Sequence, residues 1–369
     1  MIRTLLIGAA SLLLLSATAT FAQVRSVLTP FVADVPVSSQ ALGKRGAAAE
    51  LGLLDVLVRV SGSEDIRYND DILTKTSDAI RYVEQFEYLE LDEKLDDPRY
   101  TSILRMHFSE RLVKRLLSET GQKFWSLNRP PVLVWLVEDS LSHGKQMLND
   151  THESALVEGL LEGARYRGIQ LAFPLLDFQD QVALGAQKLW ALDDNAILDA
   201  SERYQPEVIL VGKFTTISSG QLWSNWEFFY KGDSRVYDLK GEDQFQAGKD
   251  AVNPVADYLA KTFAVKLSAG DTDYYYARIS NIQSFGDYKN LMQALTSIDA
   301  IGNIVLDSIS GDVLNLRFKS EASANQLKDL IGLNKGLTAR ALGEQSHLPA
   351  WQRSQPGSRE YPLNYYWGK

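Results

Sequence analysis

Residues 132–137 read Val-Leu-Val-Trp-Leu-Val, an unbroken apolar run set directly behind Pro130-Pro131. A strand with one wet face alternates apolar and polar residues. A strand apolar at every position is buried on both faces. Such a strand needs helices above and below it, so this run commits the middle of the chain to a layered α/β arrangement. The two prolines disfavour both helix and central strand and mark a boundary. Residues 151–167 place Leu156, Leu160, Leu161 and Ala164 at helical spacing, and Gly168 stops that helix. A second strand follows over residues 169–176, then helices over 182–192 and 195–204. Val208-Ile209-Leu210-Val211-Gly212 is a third buried strand. Strands and helices in alternation predict parallel pairing. The pattern then changes to a hairpin, residues 222–230 and 234–239, turning at Lys231-Gly232-Asp233. A helix over 252–263 closes the segment.

The flanking segments read differently. Residues 24–37 predict a strand, with Ser38 or Ser39 capping an Ala- and Leu-rich helix over 40–60 that stops at Ser61-Gly62-Ser63. A short helix, two strands joined by an acidic turn over 92–98, and an amphipathic helix over 110–120 follow. After the middle segment, residues 275–342 read strand, helix, strand, strand, helix, strand, with Ser310-Gly311-Asp312 as the hairpin turn. That order is the ferredoxin-like βαββαβ pattern. The expected fold class is therefore α+β and α/β, multidomain. A signal peptide occupies residues 1–22 and a small α+β domain 23–127. A central α/β domain with a partly parallel sheet spans 128–270, and a C-terminal ferredoxin-like domain 271–342. Residues 343–369, rich in Gln, Ser, Pro, Gly and Arg, form an extended tail with an aromatic end.

The amino terminus pairs Arg3 with an apolar run over residues 5–15, small residues over 16–20, and Phe21-Ala22-Gln23. This is the plan of a cleaved secretory signal, with cleavage expected after Ala22. The run is shorter than the roughly 20 residues that a membrane span needs. The chain has no cysteine, which excludes disulfides, thiolate metal sites, Cys nucleophiles and a lipid-anchored form. The expected location is the periplasm. A net charge of −9 makes nucleic acid and anionic lipid poor partners, because basic surface supplies that affinity.

Chemistry-bearing motifs are sparse. The four histidines, His107, His143, His152 and His347, include no pair four residues apart, so no helix presents the two imidazoles of a common zinc site. No G-x-S-x-G occurs, and Glu138-Asp139-Ser140 stands where a phosphate loop would place glycines. No catalytic residue, metal or cofactor is assigned. Ligands of open parallel sheets bind beyond the carboxyl ends of the strands. Glu138 and Asp139 follow the first middle strand, Asp177 the second and Lys213 the third, which makes these four the candidate binding cleft. Trp223, Trp226, Phe228, Phe229 and Tyr230 load the hairpin, where packing under the closing helix competes with stacking on a ligand. Tyr365, Tyr366 and Trp367 are the candidate partner contact, because aromatics at the end of a tail need burial in this chain or another.

Several stretches resemble a family of proteobacterial exported proteins, domain of unknown function number 2066. They are Val35-Pro36-Val37-Ser38-Ser39-Gln40, Leu57-Val58-Arg59-Val60-Ser61-Gly62, Asn128-Arg129-Pro130-Pro131-Val132-Leu133-Val134-Trp135-Leu136, Pro174-Leu175-Leu176-Asp177 and Val208-Ile209-Leu210-Val211-Gly212. The resemblance implies an exported protein and transfers no site. The strand–helix–strand order of residues 132–212 is also similar to the amino-terminal part of the Tol-system propeller protein, a likeness of fold alone. The expectation is a non-enzymatic periplasmic envelope protein, a binding or scaffold module. Its expected partner is another envelope protein, or peptidoglycan. The competing expectation is a carboxylate-based hydrolase or glycan-binding protein that uses the strand-end acids.

Overall fold

A computed structural model describes residues 23–24, 29–91, 99–216, 221–241, 243–267, 274–334, 336–341 and 354–368. The expected signal peptide over 1–22, the acidic turn expected over 92–98, His347 and residues 343–353 of the expected tail lie outside them. The fold is mixed α/β, with several sheets, some carrying parallel strands.

β1 (Gln23–Val24) pairs with the central sheet. The strand expected over 24–37 is β2 (Val32–Val37). It opens a three-stranded antiparallel sheet with β4 (Ser102–Phe108) and β3 (Val83–Leu89), in the order β2-β4-β3. Alternation along β4 buries Leu104, Met106 and Phe108 against α1 (Leu42–Ser61) and turns Arg105 and His107 to the other face. The α1 N-cap is Ala41, with no side-chain hydrogen bond, so neither Ser38 nor Ser39 caps it. Gly62 ends α1 with φ 75°, the left-handed C-cap that glycine adopts without strain. α2 (Asp70–Thr76) and α3 (Glu110–Glu119) complete this unit, and β5 (Lys123–Phe124) leads out of it.

The central sheet has the order β1-β8-β6-β9-β10-β11. β6 (Val132–Ser140) lies parallel to both β8 (Leu171–Phe173) and β9 (Val208–Thr216). β10 (Leu222–Tyr230) and β11 (Asp233–Gly241) extend the sheet antiparallel. The apolar run of β6 divides between two cores. Val132, Val134 and Leu136 face one, Leu133, Trp135 and Val137 the other. The first core lies under α4 (Ala155–Arg167), α8 (Gln244–Ala251) and α9 (Asn253–Phe263). The second lies under α6 (Ala186–Trp190) and α7 (Asp194–Ser201), with Leu184 entering it just after α5 (Phe178–Ala183). Trp226, Phe228 and Tyr230 pack in the first core, with Tyr258 and Phe263 of α9 against them.

Elements of the central unit differ from expectation. β6 does not stop at Val137. It runs to Ser140 and turns back as β7 (Gly144–Leu148), which takes the edge of β6 that the short β8 leaves open. α8, unforeseen, packs tightly on α4. A Cβ added to Gly159 would sit 1.9 Å from the Phe245 carbonyl oxygen, and one on Gly248 2.1 Å from the Leu156 oxygen. The two backbones are in contact, so Gly159→Ala forces the helices apart. Alanine's better helix propensity recovers only about 1 kcal/mol. The net loss should reach about 1–3 kcal/mol, read as a lowered urea midpoint. A midpoint unchanged or raised would show that the helices separate freely.

β12 (Val265–Lys266) pairs with β5 and ties the exit of α9 to the N-terminal unit. The last sheet has the order β14-β15-β13-β17-β16. β13 (Tyr274–Ser280), α10 (Phe285–Thr296), β14 (Gly302–Ser310), β15 (Val313–Lys319), α11 (Ala324–Gly332) and β16 (Leu337–Ala339) follow the ferredoxin-like order. β17 (Leu363–Trp367) comes from the expected tail. It inserts between β13 and β16, parallel to the first and antiparallel to the second. Leu363 and Tyr365 enter the core. The aromatic end of the chain is thus an interior strand of this sheet and not an extended appendage.

Candidate functional site

The four strand-end residues do not close on one cleft. Successive strand residues face opposite sides, so Glu138 and Asp139 lie on opposite faces of the central sheet. Register places Val137 beside Lys213 and Asp139 beside Thr215, which puts Asp139 and Lys213 on the face carrying α5–α7. Glu138 lies beside Phe214 on the other. Asp177 belongs to a different structure. It caps α5, accepting from the Asp180 backbone N–H at 3.1 Å, and pairs with both ends of Arg203 at 2.9 and 3.0 Å. The Arg203 guanidinium, and then the Asp180 N–H, hold its carboxyl down at about 2. Arg203 also meets the fully buried Asp180 at 2.8 Å, and the Tyr204 hydroxyl donates to that carboxylate at 2.7 Å. Asp177 is one member of a knot that fixes the loop after β8.

Asp139 and Lys213 do share a site, with residues that come from distant segments. The Lys145 ammonium of β7 meets Asp139 at 3.2 Å and stands 5.2 Å from the Trp190 ring centre. Lys213 donates to the Trp190 carbonyl at 3.1 Å. Two cross-strand rows continue the surface. Lys213, Asn225 and Asp238 align across β9, β10 and β11, as do Thr215, Trp223 and Lys240. The Asn225 amide donates to Asp238 at 2.6 Å, and the Lys240 ammonium lies 4.0 Å over the Trp223 ring. Together Trp190 and Trp223 border a hollow of about 270 Å³. Trp223 is 45% exposed, unusual for so large an apolar ring. Sequence reasoning placed Trp223 only within the hairpin. It missed Trp190, Lys145, Asn225, Asp238 and Lys240, because only the pairing register assembles them.

Two larger hollows carry other chemistry. One of about 590 Å³ lies between β7, the Asn149–His152 turn and the loop before α5. His152 is committed to that turn, its Nδ1 accepting from the Asn149 N–H at 3.1 Å. The other, about 670 Å³, separates the N-terminal and central units. Its back wall is Arg167, which donates to Asn253 at 2.7 Å and to the Gly62 carbonyl at 3.1 Å, and pairs with Asp257. His143 sits exposed in the β6–β7 turn, 2.9 Å from the Ser142 hydroxyl. Among the described residues no group of three or more His, Asp or Glu is arranged to hold a metal ion.

A family model described as "Domain of unknown function (DUF8605)" matches residues 26–126. This corrects the resemblance to family number 2066. The matching family is also one of unknown function, but a different one, and its span stops short of residues 128–136, on which that likeness leaned. No curated protein matches. A solved structure described only as an uncharacterized protein aligns with 37% of this chain and 92% of its own, at 10% identity and a TM-score of 0.17, a likeness too slight to carry an argument.

Proposed function

We propose that the protein is a non-enzymatic, exported component of the cell envelope that binds another envelope component, and that its central domain takes a glycan in the Trp190–Trp223 groove. The observation that carries this reading is the exposed Trp223 beside a row of hydrogen-bonding side chains, Lys213, Asn225 and Asp238. Sugar rings offer apolar C–H faces that pack on indole, while their hydroxyls need donors and acceptors around the rim. The groove supplies both. It is a shallow surface site, which suits a polymer that lies along it better than a small solute that must be enclosed. The competing hydrolase reading needs two carboxyl groups flanking one bond, about 5–9.5 Å apart. Glu138 and Asp139 face away from each other, and Asp177 is held by Arg203.

Sedimentation with purified peptidoglycan, followed by calorimetric titration with soluble fragments, tests the proposal. Trp223→Ala should weaken binding about tenfold or more, the loss of one stacked ring and its buried area. Its melting temperature should fall only slightly, because the residue is 45% exposed. No binding by the intact chain, or equal binding by the variant, would refute the glycan assignment.

A further inference from the structure

One face of the C-terminal sheet packs into the core, and the other is polar, with Arg278 exposed on it. Tyr275, Ala277 and Ile279 of β13 turn into the core with Leu314, Leu316 and Phe318 of β15. The alternate residues form the opposite face, where Tyr274 lies beside Lys319, Tyr276 beside Arg317, and Arg278 beside Asn315. β17 adds Tyr366 to the same face, next to Ser280. Each of these tyrosines carries a cation. Arg317 and Lys319 stand 5.0 and 5.3 Å from the Tyr274 ring centre. Arg359 is 5.7 Å from Tyr276, and Arg340 is 4.5 Å from Tyr366. Arg278 reaches Asn315 at 3.4 Å. Five cations thus share one sheet face of a chain whose net charge is −9. Asp307, 3.4 Å from Arg359, is an acid on its rim.

We propose that this face is a peripheral docking surface for an anionic phospholipid bilayer. The charges spread over adjacent strands about 4.8 Å apart and do not converge on one point. The complement to such an array is a flat layer of anionic headgroups, not a single small ligand. Lysine and arginine are drawn to anionic leaflets, and tyrosine rings rest at headgroup depth. A protein partner fits less well, because interface centres are depleted in charge and built on an apolar anchor. Single-stranded nucleic acid stacks its bases on open rings. The tyrosines here are half-buried. Among the described residues no helix is long and apolar enough to cross a membrane, and this surface offers an attachment that needs none.

Co-sedimentation of the purified full chain with vesicles tests the proposal. Vesicles of phosphatidylglycerol mixed with phosphatidylcholine should bind it at low salt, and pure phosphatidylcholine vesicles should not. Binding should fall steeply as salt rises toward 1 M, where charge is screened within about 3 Å. Removing each cation should lower partitioning about fivefold, so Arg278→Ala with Arg317→Ala loses about 25-fold. If that pair unfolds the domain, Arg340→Ala with Arg359→Ala, both at exposed positions, makes the same test. Equal binding to both vesicle types, no binding, or binding that ignores both double variants would overturn the proposal. So would tighter binding to poly-glutamate or single-stranded DNA than to the anionic vesicles.

Discussion

A chain ending at Pro362 will lose the folded C-terminal unit, not merely a tail. Calorimetry should show the unfolding transition of residues 274–341 absent or displaced by tens of degrees, with the central sheet still folded by circular dichroism. The reason is topological. β17 lies between β13 and β16, so its loss strips the hydrogen-bonded edge from both. Leu363 and Tyr365 are 3% and 2% exposed. Large buried side chains cost about 2–5 kcal/mol when cut back to alanine, and two of them approach the whole stability of a small domain, about 5–15 kcal/mol. A truncated chain that melts like the full one would show that β17 is dispensable. Exposed single substitutions, not deletion of residues 343–369, are therefore the probe of any partner contact at this end, because the deletion removes β17.

How much of this was legible in the residues varies by element, for identifiable reasons. The run over 132–137 was readable because burial on both faces leaves no polar position. The end of the same strand was not. Glu138–Ser140 look like loop residues, yet they continue the ladder once past the covering helices, where polar side chains reach water. β7 was hidden for the same reason, since Gly144-Lys145-Gln146-Met147-Leu148 carries little apolar signal. α8 was missed because the residues that press it onto α4, Ala247, Gly248 and Ala251, are small and carry too little apolar bulk to mark a helical period, while Gly248 is itself a poor helix former. In the tail, Leu363, Tyr365 and Trp367 do repeat every second residue, but the Ser-, Pro- and Gly-rich stretch before them outweighed that period. The groove shows the general limit. Asp139 and Lys213 were candidates because strand ends can be located from local pattern. Trp190, Asn225 and Asp238 join them only through long-range register, which no local window contains.

Arg129→Met should destabilise the protein by about 3–5 kcal/mol in urea unfolding, although methionine keeps most of the stem volume. Arg129 is 5% exposed and donates to five main-chain oxygens. Nε reaches Ser126, Nη1 reaches Arg167 and Gly168, and Nη2 reaches Arg59 and Trp125, all within 2.6–3.4 Å. The Trp125 ring lies 3.9 Å from its guanidinium carbon. These acceptors come from the end of α1, the linker and the end of α4. Without the guanidinium they are buried without a donor, at about 1–3 kcal/mol for each that water cannot reach. Burial, and the neighbouring Arg59, push Arg129 down to about 9, which leaves it charged at neutral pH. Its hydrogen bonds end on carbonyls, so its countercharge is not a carboxylate. Arg59, Arg167 and Gly168 stand at helix carboxyl ends, where unpaired carbonyls gather about half a negative charge per helix. Two such ends meeting at one point would repel each other, and Arg129 between them turns that repulsion into the joint between two domains. Arg129→Lys separates the two contributions. It keeps the charge but replaces a planar fork with a point donor, so it should recover less than half of the loss. Full recovery by lysine would show that charge alone holds the junction. A loss under about 1 kcal/mol for the methionine variant would show that the two units hold together without Arg129.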